Sequence, residues 1–183
     1  MNLYIADTHF GHANVIKHDK RPFADVQEMD KAMIDLWNRR VNISDDVYII
    51  GDFAFKAEMD ESWYLKQLRG RKHLVTGNHD MKLLKNEKAM SYFESVDKMM
   101  HVADQGNHIA LCHYPMIEWY RSFHGTYLIY GHIHNKKGPT YEIMKNIDRA
   151  LNAAACINNY MPVSFDELVE NNRRFQQEDK PEG

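Results

Sequence analysis

Short apolar runs alternate with helical patterns along the first half of the chain. Leu3 to Ala6 has the length of a strand, and residues 25–41 repeat apolar side chains at helical spacing on one face. Asp25, followed three residues later by Glu28, marks the start of that helix. The continuous apolar run VYIIGDF at 47–53 predicts a buried strand.

The same alternation continues to about residue 93. Residues 60–69 have a helical pattern that stops before a glycine, HLVTGNHD at 73–80 predicts another strand, and residues 81–93 predict a helix. Strands that alternate with helices favour parallel pairing, so this half predicts an α/β fold.

The second half changes character. Residues 95–115 predict two strands joined by a turn at Asp104 to Asn107, and TYLIYGHIH at 126–134 predicts a further strand. Residues 149–157 fit either a helix or a strand. Ser164 and Glu167 form a capping box before a final helix. We expect a single domain over residues 1–178 and a frayed tail over 179–183.

Composition limits the classes of protein. The chain has 183 residues, 44% of them hydrophobic, and a net charge of −3, so it lacks the basic surface of a typical nucleic-acid-binding protein. No apolar run reaches the length of a membrane helix, and the N-terminus does not resemble a signal peptide. Two cysteines, Cys112 and Cys156, favour a reducing compartment, and we expect Cys112 to be a small buried apolar residue. A cytoplasmic location is therefore expected.

Metal-ligand residue types follow the predicted strands. They occur in DTH at 7–9, GD at 51–52, GNHD at 77–80 and GHIH at 131–134, while His113 ends the run LCH. In α/β sheets, ligands bind beyond the carboxyl ends of strands, where loops from different strands meet. Each fragment alone fits a turn or a solvated loop. The five together predict one cluster.

The cluster is suited to two cations. Mixed oxygen and nitrogen ligands favour Mn, Fe, Zn or Ni over Mg or Ca, and one carboxylate can bridge two ions. The glycines before Asp52, Asn78 and His132 would let the backbone approach closely. A structural zinc site fits poorly, because such sites are usually rich in cysteine.

These blocks, in this order from Asp7 to His134, resemble the calcineurin-like metallophosphoesterases, in particular small cap-less bacterial and phage members. The resemblance implies a four-layer sandwich, in which two mixed β-sheets are flanked by helices. It implies two divalent metal ions, with Mn favoured. One ion would be held by Asp7, His9, Asp52 and His134. The other would be held by Asp52, Asn78, His113 and His132, with Asp52 bridging the two.

The resemblance also implies a reaction. A metal-activated hydroxide would attack a phosphodiester, or less favourably a phosphomonoester. His79 would protonate the leaving oxygen and Asp80 would orient His79. The substrate would be a nucleotide, a cyclic nucleotide or another small phosphate ester, with nucleic-acid ends also open. No membrane partner is expected, and a homo-oligomer is left open.

Four further residues are candidate substrate contacts: His12, Asn14, Arg21 and His124. Arg21 is proposed because a guanidinium can bind phosphate through two hydrogen bonds. The alternative for residues 10–23 is a solvated loop, and for residues 119–125 it is ordinary packing. A second class of function also stays open, that of a non-catalytic scaffold that keeps the fold and binds a protein partner.

Overall fold

The computed structural model of the protein describes residues 1–177, so the predicted frayed tail at 179–183 lies outside the described residues. Within that range the strands form two four-stranded sheets. The first sheet has the order β1 (Asn2–Ile5), β2 (Asp46–Ile50), β3 (Arg71–Val75), β4 (Phe93–Asp97). The second has the order β5 (Met99–Asp104), β6 (Asn107–Cys112), β7 (Tyr127–Tyr130), β8 (Ala150–Asn152).

Strand direction differs between the sheets. All pairs of the first sheet are parallel, with one isolated antiparallel bridge from Tyr4 to Val163 beside β1. The second sheet is mixed, because β5 and β6 form the predicted antiparallel hairpin while β6, β7 and β8 are parallel. Helices flank the sheets, and the predicted α/β sandwich is confirmed.

The helices are α1 (Ala13–Asp19), α2 (Val26–Arg40), α3 (Glu61–Leu65), α4 (Glu87–Met90), α5 (Pro139–Met144) and α6 (Phe165–Gln177). The predicted start of α2 is confirmed, because the Glu28 amide donates to the Asp25 carboxylate at 2.8 Å. The capping box before α6 also forms, since the Ser164 amide donates to Glu167 Oε2 at 2.8 Å. None of the helices over residues 1–177 has both the length and the apolar character needed to cross a bilayer.

Alternation along the strands builds the layers. In β1, Leu3 and Ile5 join the apolar core under α2, whereas Tyr4 faces the second sheet. In β6, Leu111 packs between the sheets and Cys112 lies in the core beneath α5, buried as predicted. Successive strand residues point to opposite faces, so each sheet buries both of its sides.

Two segments differ from the sequence prediction. The helix predicted over 81–93 is broken into a 3₁₀ helix at Leu83–Lys85 and the short α4, and β4 already begins at Phe93. Asn86 causes the break, because its side chain caps α4 by accepting from the Ala89 amide. The ambiguous residues 149–157 divide between β8 and a 3₁₀ helix at Ala155–Ile157. That residues 1–178 form one domain stays a prediction.

Candidate metal centre

The predicted metal ligands follow the carboxyl ends of five strands. They are Asp7 and His9 after β1, Asp52 after β2, Asn78 after β3, His113 after β6, and His132 and His134 after β7. Because β1, β2 and β3 are parallel, and β6 and β7 are parallel, these ends meet at one edge of each sheet. The stacked sheets then bring the two edges together.

The backbone at these positions is unusual. Five of the predicted ligands have positive φ angles, namely Asp7 (54°), His9 (51°), Asp52 (55°), His132 (72°) and His134 (52°). Non-glycine residues rarely adopt this conformation, which costs roughly 1–3 kcal/mol each and concentrates at functional sites. The fold therefore holds these side chains in directions that ordinary strand or helix geometry does not provide.

Ligand atoms from different strands lie close together in two overlapping groups. Asp7, His9 and His134 form one, and Asp7, Asp52 and His113 form the other, with the atoms of each group within 4.8 Å of one another. Asp52 Oδ2 lies 3.6 Å from His9 Nε2 and 3.6 Å from His113 Nε2. Asp7 is thus common to both groups, and Asp52 Oδ2 lies near a histidine of each group.

Asn78 faces the second group through its amide oxygen. Asn78 Oδ1 lies 3.2 Å from His113 Nε2 and 3.0 Å from His132 Nδ1. The backbone of His132 is fixed by a hydrogen bond, because its amide donates to the carboxylate of Asp7 at 2.9 Å. An oxygen and two imidazole nitrogens therefore converge from three different strands.

These separations fit shared cations. His9 Nε2 and His134 Nε2 are 3.2 Å apart, and His134 Nε2 is 3.6 Å from Asp7 Oδ1. Two ligand atoms bound to one ion at about 2.1 Å lie roughly 3.0–3.5 Å from each other. The mixture of carboxylate, amide oxygen and imidazole also suits a transition-metal ion. The residues present fit divalent metal binding.

Two histidine rings are oriented by contacts of the nitrogen that points away from the cluster. His113 Nδ1 donates to the carbonyl of Ile50 at 2.9 Å, which leaves the lone pair of Nε2 directed at the cluster. His134 Nδ1 lies 2.7 Å from Asp19 Oδ2. Burial alone would lower the pKa of His134, but the hydrogen bond to Asp19 and the charge of Asp7 outweigh burial and raise it.

Burial shifts other groups of the cluster. It raises the pKa of Asp7 to about 6, since the carboxylate lies away from water. Burial likewise lowers the pKa values of His9 and His132, with neighbouring histidines adding to the effect. These lowered pKa values favour the neutral forms of His9 and His132, which are the forms that can bind a cation.

The structure corrects the prediction for Arg21. Its side chain is 0% exposed and lies beneath the cluster, where it donates to the carbonyls of Asp7 and Thr8, both at 2.9 Å. It also pairs with Asp19 at 3.0 Å. Arg21 therefore supports the loop that carries the first ligands and does not face a substrate.

Asp80 is corrected as well. Its carboxylate accepts from the backbone amides of Asp52, Phe53 and Gly77, at 2.9, 2.9 and 2.7 Å. Both oxygens are used in this way, so Asp80 holds the loop of Asp52 in place and does not orient His79. Burial raises the pKa of Asp80, although these three hydrogen bonds act in the opposite direction.

His79 stands at the mouth of the cluster. Its side chain is 34% exposed, and its Nε2 lies 4.0 Å from Asp52 Oδ2. The ring rests against Phe55 with a centroid distance of 4.0 Å, and the His79 amide donates to Asp52 Oδ1 at 2.8 Å. The imidazole is thus fixed beside the cluster but reachable from solvent.

A cleft of about 630 Å³ opens over these groups. It is lined by His9, His79, His132 and His134, and by three side chains that also border a second cavity: His12, Asn14 and Lys56. The predicted positions of His12 and Asn14 beside the site agree with this placement, and their contact with substrate stays a prediction.

His124 is far from the cleft. It lies in a 3₁₀ helix at Ser122–His124, which precedes β7, whereas the cluster follows the opposite end of that strand. The substrate contact predicted for His124 is therefore wrong.

Sequence reasoning missed Asp19, the buried carboxylate that joins Arg21 to His134. The only signal was its place two residues before Arg21, in a run that also fits a solvated helix end. Carboxylate support behind a metal-binding histidine is common, but its sequence position differs between folds.

No family model matches the chain. A solved structure of a protein of unknown function, AQ665 from Aquifex aeolicus, superimposes with a TM-score of 0.71 and 28% identity, over 93% of this chain and 98% of that one. A structure described as a novel archaeal phosphodiesterase has a TM-score of 0.47 and 18% identity, over 84% of this chain and 81% of that one. At that level of similarity nothing follows about activity.

Sequence comparison gives the family. The uncharacterised protein MJ1445 of Methanocaldococcus jannaschii is 33% identical over 168 residues, which cover 90% of this chain and 87% of the relative. The similarity therefore covers most of the length of both proteins. The chain therefore belongs to the same protein family as MJ1445.

Proposed function

We propose that the protein is a metal-dependent phosphoesterase that uses two divalent ions. The observation that supports the proposal most is the convergence of seven oxygen and nitrogen ligand side chains from five strand ends, with Asp52 Oδ2 3.6 Å from histidines of both groups. Asp7, His9, Asp52 and His134 would hold one ion. Asp52, Asn78, His113 and His132 would hold the other. Mn fits this mixed donor set, with Fe, Zn and Ni as alternatives.

Two cations held here would supply the positive charge that makes water more acidic and offsets the charge of phosphate oxygens. Asp52 would be shared by both ions and would keep them adjacent. Its position depends on Asp80, whose carboxylate accepts from the backbone amides of Asp52 and Phe53.

His79 is the candidate proton donor. A leaving alkoxide needs a proton, and an imidazole beside the reacting phosphate can deliver it. The tilted contact with Phe55 limits the rotation of the His79 ring, and the partial exposure of His79 leaves room for a leaving group. Loss of His79 should therefore slow the reaction most for esters with poor leaving groups.

A phosphodiester is favoured over a monoester. The cleft of about 630 Å³ extends well beyond the cluster, so it has room for a substituent on each side of a phosphate. Its substrate would be a small ester or a nucleotide, and a nucleic-acid end would require part of a strand to enter the same cleft.

The test is hydrolysis of bis-p-nitrophenyl phosphate and p-nitrophenyl phosphate by protein stripped with a chelator and reloaded with Mn. We expect turnover only after reloading, a higher rate with the diester, and loss of turnover in Asp52→Asn. In His79→Ala the loss of rate should be larger for diphenyl phosphate than for bis-p-nitrophenyl phosphate, because p-nitrophenolate leaves without needing a proton. His108→Ala is the matched control, because this exposed histidine lies at the start of β6, away from the cluster. Bound metal without turnover for Mn, Fe, Zn and Ni would overturn the proposal and favour a scaffold.

A further inference from the structure

A second cavity of about 720 Å³ lies beside the cleft and is not used by the reaction proposed above. Its walls come from α2 and from the segment that contains α3. His12, Asn14 and Lys56 border both cavities, so these three side chains form a ridge where the two meet. The ridge is close to the metal centre, since the ring of His12 is 5.5 Å from that of His9.

One part of the wall of the second cavity is apolar and aromatic. Trp63 and Met59 are each 43% exposed, although side chains of this kind are usually buried. Trp63 packs edge-on against Tyr64 with a centroid distance of 5.0 Å. Tyr64 is buried and held in place, because its hydroxyl donates to Asp30 Oδ2 at 3.0 Å. The cavity therefore offers an exposed aromatic face over a rigid floor.

The charged side chains of the two cavities indicate which part of a substrate each cavity would bind. Three carboxylates border the second cavity, from Asp30, Asp35 and Glu58, against two lysines, so it does not suit a second phosphate. Lys56 stands on the ridge, its ammonium 5.3 Å from the centroid of Phe55 and without a carboxylate partner among residues 1–177. Its backbone is left-handed, with a φ of 52°. A phosphate is thus favoured on the cleft side of the ridge, and a neutral flat group is favoured on the other side.

We propose that the second cavity binds the nucleobase of a nucleotide ester whose phosphate lies in the cleft, with the base stacked on Trp63. Stacking on an exposed aromatic ring suits any base, while the polar groups at the rim, such as Gln27 and Asp35, can contact its edge. This inference rests on the proposed function for the position of the phosphate. The nucleobase site itself rests on the second cavity.

The test compares three diesters with the same leaving group: the p-nitrophenyl esters of thymidine 5′-monophosphate, methyl phosphate and hexyl phosphate. In the Mn-reloaded protein we expect the thymidine ester to have the highest kcat/KM. Trp63→Ala should lower the ratio of thymidine to methyl kcat/KM by about 5- to 150-fold, which corresponds to the range found for loss of base stacking. Phe123→Ala, which truncates an aromatic ring that is 85% exposed near the opposite end of β7, should leave that ratio at the wild-type value.

The outcomes separate the two proposals. A ratio unchanged by Trp63→Ala, or a hexyl ester as good as the thymidine ester, would overturn the nucleobase site while leaving the phosphoesterase intact. If no ester is hydrolysed, the phosphoesterase proposal fails, and calorimetric titration with thymidine 5′-monophosphate still tests the site. We then expect a dissociation constant raised by the same factor in Trp63→Ala. Equal constants in the two proteins, or no saturable binding to the wild type, would overturn it.

Discussion

The Asp19→Asn substitution removes one negative charge from a buried site. Asp19 Oδ2 accepts from His134 Nδ1 at 2.7 Å, from Arg21 Nε at 3.2 Å and from Arg21 Nη2 at 3.0 Å. Both Asp19 and Arg21 have side chains that are 0% exposed. An asparagine would keep the shape, but it would leave the guanidinium buried without a counter-charge.

Removing one partner of a buried ion pair typically costs about 3–5 kcal/mol. We therefore expect Asp19→Asn to lower the free energy of unfolding of the metal-free protein by that amount. Loss of the negative charge behind His134 should also weaken metal affinity by about 10- to 100-fold. Urea unfolding in chelator measures the first effect, and metal titration measures the second.

Asp46→Asn is the matched control. Asp46 also pairs with one arginine and one histidine, Arg71 and His73, but closer to solvent, since the side chains of Asp46 and Arg71 are 21% and 54% exposed. Exposed ion pairs contribute little to stability, so this variant should unfold close to the wild type. If Asp19→Asn and Asp46→Asn changed the urea midpoint equally, the reasoning from burial would be refuted.

Three further predictions follow from the same contacts. Burial alone would raise the pKa of Asp19, but its hydrogen bonds and charged neighbours lower it, so its stabilisation should be lost as pH falls below the ordinary aspartate pKa of about 4. The difference in stability between the wild type and Asp19→Asn, measured in chelator, should shrink there. Burial raises the pKa of Asp7 to about 6. The metal-free wild type should therefore lose stability as pH rises from about 4 through 6, and an Asp7→Asn variant that kept this loss would contradict the assignment. A Cβ at Gly77 would lie 2.3 Å from Asp52 Oδ1, whereas a Cβ at Gly138 would meet nothing within 4 Å. Gly77→Ala should thus bind metal more weakly in a titration and Gly138→Ala should not. Equal affinities in these two variants would exclude the steric explanation.

The predicted elements that carry the cluster could be found from sequence because two signals agree at each of them. An apolar run such as Leu3 to Ala6 marks a buried strand, and the polar residue that follows must then lie at a sheet edge. Parallel pairing brings such edges together without any further information.

Side-chain direction could not be found in the same way. Asp80 directly follows His79 in the sequence, but its carboxylate accepts a hydrogen bond from the backbone amide of Asp52, whereas His79 faces the cleft. Arg21 also lies near the site in sequence, yet it approaches from below. A residue that is near a ligand in sequence must lie near the cluster in space. Whether its side chain faces the cleft or the protein interior depends on the tertiary structure. The broken helix at 81–93 has a similar cause, since the capping by Asn86 competes with helix continuation.

The left-handed backbone at Asp7, His9, Asp52, His132 and His134 has a consequence for how such a chain evolves. At each position glycine would relieve the cost of the left-handed backbone while deleting a ligand. At Asp7 and Asp52 glycine would also leave the backbone amides of His132 and His79 without their carboxylate acceptors, which opposes that relief. A lineage that no longer needed the metal centre would therefore be expected to lose His9 and His132 before the two aspartates.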